Sequence, residues 1–180
     1  GLIIQDAGLL ECDLPPLPLI ASTQMGNSTP EKVRFLESAG FKRAILAREL
    51  DLDQIRAIRQ NTNLELECFV HGALCVGASG QCALSYALGG RSGNRGQCAQ
   101  PCRKLYTLTD ADGKPVAPAQ HWLSLHDLNL TEQVGELLDA GVRAFKIEGR
   151  LKDRPYVMNV VAHWRQTLDA ALEGRRLRRR

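Results

Sequence analysis

The chain has 180 residues, a formal net charge of +3 and a hydrophobic share of 44%. This length suits one domain with a sizeable core, and so small a charge gives no argument for a nucleic-acid partner. No apolar run is long enough to span a membrane and no segment is typical of a secretory signal. We therefore expect a cytoplasmic protein without membrane contact. Because the sequence starts at Gly1 inside an apolar run, we also expect a piece of a longer chain.

Short apolar runs alternate with helical patterns through the first part of the chain. The apolar runs predict four strands, at residues 2–5, 17–22, 43–48 and 64–70. One helix is predicted to begin at Pro30, where Thr29 can cap it, and a second to run from Asp51 to Gln60. Strands and helices that alternate at this spacing predict βαβ units and a parallel sheet.

The alternation stops at residue 72 and resumes after residue 120. The interval is rich in glycine and irregular, apart from a predicted hairpin at 106–116. A helix at 129–140, a strand at 144–148 and a final helix follow. We divide the chain into a first barrel part, a cysteine-rich insertion, a last helix–strand–helix and a basic tail. Their bounds are 1–71, 72–120, 121–174 and 175–180.

Five predicted parallel strands indicate an α/β fold of the TIM-barrel type. A complete eight-stranded barrel usually needs roughly 250 residues, so we expect only the C-terminal five of eight strand–helix units here. Strand 2–5 would then lie at a sheet edge, and exposed edges would favour a homo-oligomer. The alternative is a self-sufficient open α/β sheet.

The last six residues concentrate positive charge. We interpret this run as a solvated tail, and the alternative is an arm that contacts phosphate groups. It consists of Arg175, Arg176, Arg178, Arg179 and Arg180.

Four of the six cysteines lie in the irregular segment with the spacing C-x6-C-x15-C-x3-C. They are Cys75, Cys82, Cys98 and Cys102. Four thiolates within 28 residues predict one metal centre, but the spacing matches neither a zinc ribbon nor a ferredoxin. From the spacing alone, zinc and an iron–sulfur cluster both remain open. The other two, at positions 12 and 68, are expected to be surface or core residues.

Polar side chains cluster at the ends of the predicted strands. In a parallel barrel the carboxyl ends of the strands surround the active site. Each side chain either lines such a pocket or forms a structural ion pair, and the sequence leaves both open. Arg48 and Arg150 would suit an anionic substrate, and Lys146 is expected to point into the barrel. The pocket candidates are Gln24, Arg48, Glu49, His71, Lys146, Glu148 and Arg150.

Residues 67–75 (ECFVHGALC) and 80–85 (GQCALS) resemble the signature of the peptidase U32 family. The likeness continues through residues 94–98 (NRGQC), Cys102-Arg103 and residues 145–150 (FKIEGR). Among U32 proteins the chain is most similar to the RNA-hydroxylase branch, and to the rRNA cytidine type slightly more than to the tRNA uridine type.

The resemblance implies a cofactor and partners. Family members carry an iron–sulfur cluster, so a 4Fe-4S centre on the four cysteines is expected, with the fourth ligand variable among relatives. Such a cluster is lost easily in an aerobic preparation. The resemblance also implies an rRNA or tRNA substrate and, as a small anionic co-substrate, prephenate.

The family name raises peptidase activity as an alternative. Neither a G-x-S-x-G elbow nor an H-E-x-x-H motif is present, although Ser85, Ser124 and His71 are. A zinc-stabilised RNA-binding module without catalysis is the second alternative.

Overall fold

A six-stranded sheet forms the centre of the computed structural model, which describes residues 1–178 and, from residue 175 on, the backbone alone. The described residues form eight strands, which are β1 (Leu2–Ile4), β2 (Leu19–Ala21), β3 (Arg43–Ile45), β4 (Glu65–Gly72), β5 (Tyr106–Thr109), β6 (Pro115–Gln120), β7 (Leu128–Asn129) and β8 (Val142–Glu148). All of them except β5 and β6 belong to this sheet. Strands β1, β2, β3, β4 and β8 lie side by side in that order, and each neighbouring pair is parallel. The prediction of five parallel strands in one sheet is confirmed. Within the described residues β1 pairs with β2 alone, so it forms one edge.

Two further strand pairings are antiparallel. Strands β5 and β6 form the predicted antiparallel hairpin, which turns at Gly113 with a φ of 81°. The short strand β7 pairs antiparallel with the end of β4. The prediction of a helix from residue 129 is wrong at its start, because Asn129 Oδ1 accepts the Thr131 N–H and closes a turn there.

Five helices accompany the strands, and the starts of the first two follow the sequence signals. They are α1 (Pro30–Ser38), α2 (Leu52–Gln60), α3 (Leu84–Gly89), α4 (Val134–Asp139) and α5 (Arg154–Arg178). The Thr29 hydroxyl caps α1, and Asp51 forms a reciprocal capping box with Gln54 at α2. None of the described helices is both long and apolar enough to cross a membrane. The predicted basic tail, 175–180, lies outside the residues whose side chains are described.

The hydrophobic core lies between one face of the sheet and the helices. Leu66 and Val70 of β4 are fully buried in it, together with side chains from α1, α2 and α4. Trp164 of α5 is 2% exposed, and its indole Nε1 donates to His71 Nδ1 at 3.2 Å. The expectation that Trp164 is a core residue is confirmed.

The opposite face of the sheet is polar. Glu67 forms ion pairs with Arg43 at 3.0 Å and with Lys146 at 3.3 Å. Lys146 points away from Phe145 and Ile147, which pack against the core. This agrees with the alternation expected for its strand.

Asn27 joins the ends of β2 and β3. Its side chain is fully buried, and its Nδ2 lies 2.9 Å from Ser22 O, 2.8 Å from Ile45 O and 3.4 Å from Ala21 O. The Ala47 N–H donates to the Asn27 carbonyl at 3.1 Å. One side chain therefore fixes the two strand ends from which the loops of the site begin.

We expect Asn27→Ala to lower the free energy of unfolding by about 3 kcal/mol, because buried carbonyls lose their donor. Urea unfolding followed by tryptophan fluorescence measures the change. The matched control is Asn159→Ala on the exposed side of α5, which should change stability by less than about 0.5 kcal/mol. Equal stability of the two variants would show that the Asn27 amide does not hold the strand ends.

Candidate functional site

The carboxyl ends of four parallel strands open onto one cavity of about 220 Å³. Gln24 follows β2, and Arg48 follows β3. Glu148 is the last residue of β8, and Arg150 lies two residues after it. The other wall is the irregular segment after β4. Four of the seven predicted pocket residues therefore share one cavity.

All four clustered cysteines line this same cavity. Burial raises the pKa of the Cys102 thiol, and the three neighbouring cavity cysteines raise it further. Cys12 is exposed elsewhere, and Cys68 is buried in the core, where desolvation raises its pKa to about 12. All six cysteines are free thiols.

Two glycines let the backbone approach the cysteines closely. A Cβ on Gly77 would lie 3.0 Å from Cys82 Cβ and 3.4 Å from its Sγ. A Cβ on Gly93 would lie 3.5 Å from Cys98 Cβ. These positions leave room around the sulfurs that a larger residue would fill.

Glu49 holds the loop between the first two cysteines of the cavity. Its carboxylate accepts the Ser79 N–H at 3.0 Å and the Ser79 hydroxyl at 2.9 Å, while the Arg48 N–H donates to Ser79 Oγ at 3.2 Å. Burial acts to raise the pKa of Glu49, but the Ser79 hydrogen bonds outweigh it and hold the pKa below its usual value. Glu49 does not line the cavity, so the structure gives it a scaffolding position rather than the predicted pocket position.

The rest of the loop is held by two arginines. Arg150 donates to the backbone carbonyls of Gly96 and Cys98, the latter at 3.0 Å. Arg103 donates to Leu74 O at 3.1 Å, directly before the first cavity cysteine. Both guanidinium groups donate to backbone oxygens at or next to cysteines, and Arg103 also forms an ion pair with Asp127 at 3.3 Å.

Arg48 faces the cavity with a loosely paired charge. Its guanidinium carbon lies 4.0 Å from the Phe69 ring centroid, and its Nη2 is 3.8 Å from Glu148 Oε2. The side chain is 13% exposed, and its Nε is buried without a hydrogen-bond partner among the described residues. Because the Arg48–Glu148 ion pair is longer than a direct hydrogen bond, Arg48 is available to an anion that enters the cavity.

His71 and Lys146 do not line the cavity. The register of β4 against β8 shifts between Phe69 and His71, and such a bulge redirects the following side chain. His71 consequently packs against Trp164 of α5, and burial followed by the charge of His163 lowers its pKa. Lys146 is paired with Glu67 farther along the sheet.

Gln100 combines an unusual backbone with a place at the cavity wall, and nothing in the sequence pattern singled it out. Its φ of 53° makes it the one non-glycine residue with positive φ among the described residues. Such a conformation costs about 1 to 3 kcal/mol for residues other than glycine. Its N–H donates to Cys98 Sγ at 3.2 Å. The signal available in the sequence was the following Pro101, which disfavours the right-handed helical region at residue 100.

A second cavity of about 200 Å³ adjoins the first. Its outer wall contains Asp127 and Lys152, which form an ion pair at 2.8 Å. The Lys152 hydrogen bond lowers the pKa of the Asp127 carboxyl. Both cavities open toward Gln100 and Glu148.

The fold and the site define an α/β protein whose parallel strand ends carry a four-cysteine cavity. The family model "Peptidase family U32" matches residues 1–179, and the chain belongs to this family.

Two curated bacterial proteins and one solved structure are compared with this chain. The chain is 56% identical over 175 residues to "23S rRNA 5-hydroxycytidine C2501 synthase" of Escherichia coli, which covers 97% of this chain and 27% of that protein. It is 36% identical over 179 residues to "tRNA hydroxylation protein P1" of Bacillus subtilis, which covers 94% of this chain and 42% of that protein. A solved U32 peptidase structure aligns with a TM-score of 0.49 and 16% identity, over 85% of this chain and 56% of that one. The chain thus spans less than half of the length of either curated relative.

We expect Glu49→Ala to release the loop at residues 76–82, because the Ser79 amide and hydroxyl lose their acceptor. Amide hydrogen exchange in this loop should rise about tenfold or more. Glu11→Ala, at an exposed glutamate in the turn after β1, is the control and should leave the exchange unchanged. Unaltered exchange of the Ser79 amide in Glu49→Ala would contradict the scaffolding position of Glu49.

Proposed function

We propose that the full-length protein hydroxylates RNA and forms 5-hydroxycytidine in large-subunit rRNA. The observation that carries this proposal is the 56% identity to the Escherichia coli rRNA hydroxycytidine synthase along 97% of the chain. We assign the reaction to the cavity at the strand ends. Hydroxylation of a tRNA uridine is the nearest alternative, supported by the Bacillus subtilis relative.

The proposed architecture is a TIM-type (β/α) barrel, of which this chain supplies five strand–helix units. Sequential order of the parallel strands and the clustering of polar side chains at their carboxyl ends support it. Edge strand β1 would pair with further barrel strands or with a second copy of the chain. A protein that modifies RNA would work in the cytoplasm.

The four cysteines are proposed to hold a 4Fe-4S cluster. Four thiols on one cavity, glycines that leave the sulfurs open, and an N–H directed at Cys98 Sγ fit such a group. A single water needs only roughly 10–15 Å³, so a cavity of about 220 Å³ accepts a group much larger than one ion. Metal binding would also offset the burial and the mutual repulsion that together raise the pKa of Cys102.

Zinc is the alternative metal. A tetrahedral zinc site brings its sulfurs to about 3.8 Å from one another, given Zn–S bonds of about 2.3 Å. Among the described residues, no group of three or more cysteine, histidine or acidic side chains is arranged to hold a metal ion. This finding bears on zinc and on an iron–sulfur cluster alike, so the preference for the cluster rests on the family resemblance.

The residues around the proposed cluster would divide the work. When bound, the cluster would supply one-electron chemistry. Arg48 would bind an anionic co-substrate, for which prephenate is the proposal that the family resemblance supports. Glu148 would orient Arg48 through their ion pair, and Phe69 would hold the guanidinium plane by stacking.

For the peptidase alternative, neither Ser85 nor Ser124 has a hydrogen bond to a histidine among the described residues. Thr131 Oγ1 does lie 3.0 Å from His163 Nε2, but this exposed pair does not line the cavity. The Ser85 hydroxyl accepts the Ala99 N–H at 2.9 Å, and His71 Nδ1 is held by Trp164. A catalytic serine needs a base within hydrogen-bond reach. The geometry supports hydroxylation better than proteolysis, and a non-catalytic RNA-binding module would leave the strand-end cavity without a role.

We expect Cys75→Ala in the full-length protein to abolish rRNA cytidine hydroxylation, because three remaining thiolates cannot satisfy the cluster. Mass spectrometry of 23S rRNA from a deletion strain complemented with each variant measures the modification. Cys12→Ala, which removes an exposed cysteine outside the cavity, should restore normal hydroxylation. Normal hydroxylation with Cys75→Ala would refute a catalytic role for the cluster, and peptide cleavage lost without change in the RNA would favour the peptidase.

A further inference from the structure

The wall between the two cavities consists of five residues. Those that line both cavities are Ala73, Gln100, Arg103, Glu148 and Arg150. Any molecule in the second cavity that reacts at the first must pass or touch this wall.

Four of these five residues are already engaged or have no polar side chain. Ala73 carries a methyl group, and Arg103 and Arg150 donate to backbone carbonyls that flank cysteines. Glu148 faces Arg48 at 3.8 Å. Only Gln100 brings a polar side chain that makes no hydrogen bond within the described part of the chain, since its recorded hydrogen bonds use the backbone.

The backbone of Gln100 strengthens this assignment. A glycine would adopt its left-handed conformation without strain and would keep the N–H bond to Cys98 Sγ. The hydrogen bond to sulfur therefore does not account for a glutamine at this position. A glutamine on a strained backbone therefore points to a use for its side chain.

We propose that the second cavity receives the target pyrimidine base of the RNA, and that the Gln100 amide positions that base against the cysteine-lined cavity. The proposal rests on the RNA-hydroxylase function proposed above. Enzymes that modify a base take it out of the stack and read its Watson–Crick edge with hydrogen bonds. An amide offers a donor and an acceptor together, which match the ring nitrogen and exocyclic amino group of cytosine. Gln100 is thus a substrate-contacting residue rather than a cluster ligand.

The test compares three variants of the anaerobically purified full-length protein. Gln100→Gly removes the amide but keeps the backbone conformation and the N–H. Gln100→Asn keeps an amide one methylene shorter on a residue that tolerates positive φ. Gln97→Gly is the matched control, because Gln97 is exposed in the same loop and lines neither cavity.

Two readouts address the base, and two address the scaffold. The first two are cytidine hydroxylation and affinity for a short RNA that spans C2501, the position named for the Escherichia coli relative. The other two are the visible absorption of the iron–sulfur centre and the thermal midpoint. We expect Gln100→Gly to lower hydroxylation and RNA affinity about tenfold or more, with absorption unchanged and the midpoint equal or higher. Gln100→Asn should fall between Gln100→Gly and wild type, and Gln97→Gly should hydroxylate like wild type.

Two results would overturn the proposal. One is Gln100→Gly that hydroxylates and binds RNA like wild type. The other is a loss of activity that comes together with a loss of the visible absorption, which would make the residue part of the cluster's scaffold. If wild type itself forms no hydroxycytidine, the proposed function fails, and the RNA affinities of wild type and Gln100→Gly alone decide the role of Gln100.

Discussion

The site depends on hydrogen bonds that run from the strand ends to a glycine-rich loop with little core of its own. Asn27 first joins β2 to β3, which sets the positions of Gln24 and Arg48. Glu49 then holds the loop at Ser79, and Arg150 holds it near Cys98. These contacts fix the loop that carries three of the four cavity cysteines and follows the first. The sheet is therefore a support on which an irregular segment becomes a site.

Charge has two uses at the strand ends. Glu49 and Arg150 form hydrogen bonds to the loop, and Lys146 forms an ion pair with buried Glu67. Arg48 differs from these because it stacks on Phe69 and keeps an unpartnered Nε. Adjacent residues such as Arg48 and Glu49 thus serve different ends, one facing the cavity and the other its scaffold. Both kinds of residue follow strands, so the sequence alone predicts one pocket that contains them all.

Much of the fold could be predicted because its signals are local. Alternating apolar runs located the five parallel strands, and Thr29-Pro30 located the start of α1. The cysteine spacing likewise indicated four residues of the cavity, and four of the seven strand-end candidates line it with them. His71 was harder, because a bulge in β4 turns it toward α5 and no sequence rule marks that bulge. Ser79 and Gln100 were missed because their roles come from loop geometry, namely a long-range carboxylate contact and a positive φ.

The central claim is that the four cavity cysteines act as one ligand set for an iron–sulfur cluster. Metal analysis of the anaerobically purified full-length protein tests it most directly. The account predicts about four iron atoms and about four acid-labile sulfides per chain, with broad visible absorption. A colourless protein with stoichiometric zinc and no iron would contradict it.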